Sequence, residues 1–251
     1  MHRIKNITLY NFKNYQQTEI QTDANIVCIV GKNGTGKTTI LDAIYFLCYT
    51  KSYFTHIDQH CIRNGESEMM IQMNIQDALQ EDTIKAIIRQ QGKKEIAINN
   101  EWLSKLTQHI GKYTAVMIAP DDIQIITEGS EWRRKFIDGI ISQINPTYFQ
   151  ALQQNQKTLQ QRNAYLKMCK NQPPDLTYIQ LLNEQLIATA QIIVDQRVLY
   201  VTALRSHAQE LYTALSNDAE KVTIEYQSKL RMHDYQQLLS LNYYHQRHNL
   251  K

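Results

Sequence analysis

The residues best suited to chemistry form one run, Ile29-Val30-Gly31-Lys32-Asn33-Gly34-Thr35-Gly36-Lys37-Thr38-Thr39. Its core, Gly31 to Thr38, fits G-x-x-x-x-G-K-[ST], the phosphate-binding loop of many nucleotide-using proteins. Such a loop needs glycines because backbone N–H groups must converge on an anion, and side chains would block them. Gly31, Gly34 and Gly36 provide that freedom, while Lys32, Asn33, Thr35 and Thr39 complete the predicted nucleotide-binding set. Lys37 supplies a charge to the terminal phosphates, and Thr38 offers a hydroxyl to Mg²⁺. A charge-assisted hydrogen bond is worth roughly 1.5–3 kcal/mol, so Lys37 carries a large share of the binding. The pattern specifies a phosphate ligand and is silent about the reaction.

The elements around the loop fit that chemistry. Residues 3–9 alternate and residues 25–30 form a short apolar run, so both read as strands, the second buried on both faces. From Thr38 the period changes: Ile40, Leu41, Ile44, Leu47 and Cys48 fall at helical spacing. The loop therefore joins a strand to a helix whose positive end meets the phosphates. Residues 69–77, 83–90 and 94–99 alternate with period two, with a hairpin signal at Gln90-Gln91-Gly92-Lys93-Lys94. Residues 114–118 read as another buried strand, stopped by Pro120.

Beyond Asp121 the pattern turns helical. A helix is predicted over 130–144, and Asn145-Pro146 gives an N-cap and first-turn proline for another that runs to about Lys170. Pro173-Pro174 forces a turn before a long apolar-periodic stretch from Leu176 to about Leu215, which spans roughly 60 Å if helical. Its 3–4 spacing predicts a helical hairpin or lobe. Residues 222–227 read as a strand and 234–248 as a helix. The expected organisation is residues 1–120 as the first part of an ATPase head, 121–220 as a helical lobe, and 221–251 returning into the head.

Bulk properties set limits. Of 251 residues, 43% are apolar, which is enough for a core, and a formal charge of +3 makes any basic site a local patch. Cys28, Cys48, Cys61 and Cys169 form no C-x-x-C pair and read as reduced thiols, Cys28 and Cys48 being buried. The N-terminus lacks the apolar block of a signal peptide, and no segment has the apolar length of a membrane helix, so a cytoplasmic protein is expected. His56, His60 and Cys61, like His245 and His248, imitate metal-ligand spacing without a remaining ligand set. Lys93-Lys94 reads as solubilising. Arg133-Arg134-Lys135 opens a helix where acidic residues suit the dipole better, which makes Arg133 and Arg134 candidates for a DNA backbone.

Three stretches carry a resemblance. Leu9-Tyr10-Asn11-Phe12-Lys13-Asn14-Tyr15, with the phosphate loop and Leu41-Asp42-Ala43-Ile44, resembles the N-termini of ATP-binding-cassette-type DNA repair ATPases: RecF, RecN and the SMC group. In that group the aromatic-plus-basic element, here Phe12-Lys13-Asn14, lies beside the nucleotide, which adds Lys13 to the binding set. Residues 50–66 look like the RecF segment after the phosphate-loop helix, although Phe54 stands where many relatives carry arginine. Residues 116–138, followed by Gln161-Arg162-Asn163-Ala164, resemble a RecF series that SMC and RecN heads do not share. The resemblance covers essentially the whole chain.

The resemblance to the RecF family implies an α/β fold, an ABC-type P-loop ATPase head (a mixed sheet with the phosphate-loop helix) carrying an inserted α-helical lobe. It implies ATP and Mg²⁺ as cofactors, an ATP-dependent homodimer, and binding to single-stranded or gapped DNA with RecO and RecR as partners. The roles implied are recombinational repair, replication-fork maintenance and the SOS response. Hydrolysis in this class also needs a signature loop and an apolar strand ending in Asp-Glu. Val116–Asp122 imitates that strand but is interrupted by Pro120, and Ile192–Asp195 lies within the long helix. The chain is expected to be the N-terminal two-thirds of a RecF-like protein, and its catalytic residues stay unassigned. The alternatives are a nucleotide-gated DNA clamp without significant hydrolysis, another SMC- or RecN-like head, and a small-molecule P-loop kinase.

Overall fold

The computed structural model describes residues 3–77, 80–169, 172–228 and 230. They fall into two compact units divided between Ile123 and Gln124.

The first unit is a six-stranded sheet with a helix on one face. Its strands are β1 (Arg3–Phe12), β2 (Tyr15–Gln21), β3 (Glu68–Gln76), β4 (Glu81–Arg89), β5 (Glu95–Ile98) and β6 (Glu101–Trp102). They lie in the order β2-β1-β3-β4-β5-β6, every neighbour antiparallel. The β4–β5 hairpin turns at the predicted Gln90–Lys94 segment. Strict alternation on β3 and β4 buries Met69, Ile71, Met73 and Ile75 with Ile84, Ala86 and Ile88. Against this face packs α1 (Lys37–Tyr49), through Ile40, Ala43, Phe46 and Leu47. Each large apolar side chain contributes about 1.5–3 kcal/mol on leaving water. The core therefore fixes the helix that carries Lys37 and Thr38.

Two predicted strands are corrected. Residues 25–30 and 114–118 belong to no strand. Ile26 and Val30 are 84% and 87% exposed, and Val116 and Ile118 are 81% and 84% exposed. An apolar run reports that a segment is suited to burial, but a strand also needs a neighbour, and no described strand pairs with either run. Cys28 is consequently exposed, against expectation. Cys48 and Cys61 are buried, and burial pushes their thiols up to about 12 and about 11, away from the reactive thiolate. Strand β2 was not anticipated. Residues 222–227, read as a strand, belong to none, and the helix expected over 234–248 lies outside the described residues.

The second unit is helical: α2 (Gln124–Thr127), α3 (Ser130–Ile144), α4 (Pro146–Met168) and α5 (Leu176–Ser216). Asn145 caps α4 as predicted, its side chain accepting from Tyr148 N at 3.0 Å, with Pro146 in the first turn. Asp175 caps α5, accepting from Thr177 N at 2.8 Å. Cross-links join Asn145 to Gln196, Asn155 to Thr189 and Arg162 to Asn183. Rising numbers on α4 meet falling numbers on α5, so the two form an antiparallel hairpin, one of the two arrangements the sequence left open. These half-buried polar groups and the buried Arg162 favour one register, because a slip would break their hydrogen bonds. Among the described residues no helix is long and apolar enough to cross a membrane.

Acid sensitivity is built into the first unit. His109 is buried; its Nε2–H donates to the Leu47 carbonyl, while Nδ1 has no hydrogen-bond partner among the described residues. Burial holds its pKa below the usual histidine value. Asp82 is also held below the usual carboxylate range, first by the Tyr113 hydroxyl donating at 2.6 Å. Both groups bind fewer protons folded than unfolded, so stability is full above the unfolded-state values and falls as pH drops. The histidine contribution starts to fade below about pH 6.5 and that of Asp82 below about pH 4. Urea midpoints measured between pH 7 and 5 should therefore decline, and His109→Gln should flatten that decline while lowering stability at pH 7. An unchanged slope in the variant would contradict the assignment.

Candidate nucleotide-binding site

All nine predicted loop residues, Gly31 to Thr39, form one continuous segment at the N-terminus of α1. Gly36 is the N-cap, at φ 95°. A Cβ there would lie 2.5 Å from Asn14 Nδ2 and 2.8 Å from Tyr15 Cε2, so backbone freedom and space both demand glycine. Lys37 bends back over the loop, its Nζ donating to the carbonyls of Gly31 at 2.8 Å and Lys32 at 2.7 Å. Thr35 Oγ1 donates to Lys32 O at 2.8 Å and closes the turn. Gly31 to Thr35 are exposed, and the first turn of α1 carries no acidic residue. The loop thus presents backbone N–H groups, a lysine and a helix N-terminus to solvent, an arrangement suited to an anion.

The β1–β2 turn packs on this loop. Asn14 Oδ1 accepts from Thr39 Oγ1 at 3.0 Å, and the Tyr15 hydroxyl lies 3.4 Å from the carbonyls of both Thr35 and Gly36. Lys13, in a left-handed conformation (φ 52°), donates its backbone N–H to Cys61 O at 2.8 Å. Its Nζ lies 2.6 Å from Asp42 Oδ2 and sits over the rings of Phe54 and Phe12, at 5.2 and 5.8 Å. The structure therefore brings Lys13 beside the loop-bearing helix and pairs its ammonium with a carboxylate.

Sequence reasoning missed two residues here. Asp42 is fully buried on α1 and accepts from Lys13 Nζ, from Ser52 Oγ at 2.7 Å and from Tyr53 N at 2.7 Å. A signal existed: an acidic residue on the face shared by Ile40, Ala43 and Phe46 demands partners, because an unpaired buried charge is costly. Lys94, read as solubilising, instead donates to Thr50 O, at the C-cap of α1, and to Asp58 Oδ2 at 2.6 Å. A cation at a helix C-terminus suits the dipole. Nothing local marks Lys94, because its partners lie 36 and 44 residues away.

The remaining candidates lie elsewhere. Asp122, which ends the imitation of a catalytic strand, accepts from the Tyr53 hydroxyl and from Ala119 N at 2.7 Å, a capping arrangement. Arg133 and Arg134 lie on α3 of the second unit and are exposed. Arg133 donates to the carbonyls of Ile125 and Glu128, and Arg134 to Ser130 Oγ at 2.7 Å. Lys135 pairs with Glu131 at 3.1 Å.

Comparison with known proteins places this geometry. The family model for the AAA ATPase domain matches residues 3–249. The DNA replication and repair protein RecF of Flavobacterium johnsoniae is 36% identical over 243 residues, covering 96% of this chain and 67% of that protein. RecF of Oceanobacillus iheyensis is 34% identical over 233 residues, 92% of this chain and 63% of that one. The chain thus spans about two thirds of the length of the curated relatives it matches. Among solved structures, one described as the recombination mediator protein RecF–ATP in the RecFOR pathway matches with a TM-score of 0.88 at 25% identity. It covers all of this chain and 69% of that one. A second RecF structure from that pathway matches with a TM-score of 0.84 at 26% identity. The expected ABC-type α/β ATPase fold is therefore borne out, and the chain belongs to the RecF family of DNA replication and repair proteins.

Proposed function

We propose that residues 31–39 bind ATP with Mg²⁺ and that nucleotide binding controls an interaction with single-stranded or gapped DNA in recombinational repair. The observation that carries this reading is the phosphate loop itself, held between the β1–β2 turn and the N-terminus of α1, with Lys37 and Thr38 side by side. A similar structure described as RecF–ATP supports ATP as the nucleotide. Thr38 fits Mg²⁺ as a single hydroxyl ligand, since this ion keeps waters and takes its other ligands from phosphates. When bound, the ion would neutralise phosphate charge.

The RecFOR pathway in the description of a similar structure supports RecO- and RecR-type mediators as partners, and the proposal extends to an ATP-dependent homodimer, replication-fork maintenance, the SOS response and a cytoplasmic setting. Residues 1–120 act as the first part of the ATPase head and 121–220 as its helical lobe. A nucleotide-gated clamp without significant turnover is the second reading, favoured by Asp122 being engaged in a turn and with Tyr53. Phosphate release separates the two, because a clamp binds ATP and DNA without releasing phosphate.

Calorimetric titration with ATP tests the primary assignment: saturable, Mg²⁺-dependent binding that Thr38→Ala weakens supports it, and no heat at any concentration sinks it. Arg133 and Arg134 are proposed to neutralise phosphates of the DNA backbone. For the Arg133→Ala/Arg134→Ala variant, the slope of log affinity against log salt should shrink by about 0.9 for each phosphate no longer neutralised. An unchanged slope would remove both arginines from the interface.

A further inference from the structure

The geometry points to Asp42 as the residue that positions the phosphate loop, with Lys13 acting on the nucleotide through Asp42 rather than as a phosphate ligand. The inference rests on residues 31–39 being the nucleotide site. Asp42 lies one turn beyond Thr39 on α1, so its carboxylate sits behind the loop rather than in it. Three donors from two other segments converge on its two oxygens. Lys13 Nζ comes from the β1–β2 turn; Ser52 Oγ and Tyr53 N come from the segment after α1. Ser52 Oγ in turn accepts from Phe54 N at 3.1 Å and Thr55 N at 3.2 Å, so the carboxylate organises residues 52–55 as a group.

The link from Asp42 to the loop runs through the turn. Lys13 sits at positive φ, a conformation that a non-glycine residue holds only when its surroundings determine it. Its backbone bond to Cys61 and its ion pair with Asp42 are those constraints. The next two residues are the ones that touch the loop. Asn14 bonds Thr39, and Asn14 with Tyr15 fills the space that a Cβ at Gly36 would take. Releasing Lys13 therefore frees the turn, and freeing the turn removes the backing of Gly36 and Thr39. The ammonium, wedged between Asp42 and the rings of Phe12 and Phe54, already has its counter-charge.

The test compares Asp42→Asn, Lys13→Met and the double variant in the full chain. One readout is the affinity for Mg²⁺–ATP, and the other is amide hydrogen exchange at residues 34–39 without nucleotide. Each single change should weaken ATP binding by about 10–100-fold, the loss that removing an outer-shell partner causes at metal sites. The double variant should be no weaker than the worse single one, since both act through the same ion pair. Exchange at residues 34–39 should accelerate in all three. Additive losses, or a loss confined to Lys13→Met with unchanged exchange, would show that Lys13 meets the phosphate directly and would overturn the proposal. Unchanged affinity in both single variants would overturn it as well. Should Asp42→Asn fail to fold, Lys13→Met carries the test, because only positioning predicts faster exchange in the nucleotide-free protein. Wild-type protein that binds no ATP would sink the nucleotide reading instead, leaving exchange to decide whether Asp42 holds the loop.

Discussion

Replacing Lys37 with alanine should abolish useful ATP binding while leaving the fold intact. The ammonium lies at the start of α1 and, among the described residues, bonds the carbonyls of its own exposed loop, Gly31 and Lys32, so its loss leaves no buried partner there. A terminal phosphate entering the loop competes with those carbonyls for the same donor and offers it a full negative charge. Two charge-assisted bonds at roughly 1.5–3 kcal/mol each correspond to about a hundredfold to ten-thousandfold loss of affinity. Equilibrium titration with a fluorescent ATP analogue would measure it, with circular dichroism and the urea midpoint as controls. Affinity within about threefold of wild type, less than even one such bond is worth, would remove Lys37 from the site. A collapsed midpoint would mean that the lysine holds the fold instead.

The second large effect belongs to stability. Arg197 on α5 makes a bidentate pair with Asp138 on α3, at 2.9 and 2.8 Å, and donates to the Tyr148 hydroxyl on α4 at 3.1 Å. Tyr148 is fully buried and donates in turn to Asp138. Burial and that bond push the phenol above its ordinary pKa, so it remains a donor at any physiological pH. Three helices thus meet in one polar cluster whose charged side chains are only 13% and 18% exposed. Arg197→Met keeps the apolar stem but leaves Asp138 without its charge partner, which costs about 3–5 kcal/mol for a buried pair. The residual exposure favours the lower end. Tyr148→Phe should cost about 1 kcal/mol, the usual worth of one hydrogen bond. Denaturant midpoints followed by helical ellipticity would measure both, and a shift for Arg197→Met no larger than for Tyr148→Phe would contradict the ranking.

What the sequence made legible follows the range of the interactions. The helices are readable because their signals are local: Asn145 and Pro146 mark a start, and apolar spacing marks the faces of α3, α4 and α5. The phosphate loop is readable for the same reason, since its glycines, Lys37 and Thr38 are contiguous. Strands need distant neighbours. The runs 25–30 and 114–118 have the composition of buried strands, yet Val30 and Ile118 lie open to solvent. The alternation in 222–227 likewise signals a strand, yet these residues belong to none. Site-supporting residues escape for a related reason. Lys13 enters the nucleotide-binding set through the RecF resemblance alone, and its partner, Asp42, lies on another element. Lys94 reads as a surface lysine until the β4–β5 hairpin carries it to the end of α1.

Nucleotide-gated DNA binding is tested most directly with a labelled gapped duplex, titrated with ATP, with ADP and without nucleotide at one fixed salt concentration. The expected result is tight binding to the gapped DNA with Mg²⁺–ATP, loss of that binding with ADP or no nucleotide, and loss in Lys37→Ala. Tight ATP binding accompanied by no response to single-stranded, gapped or duplex DNA would contradict it.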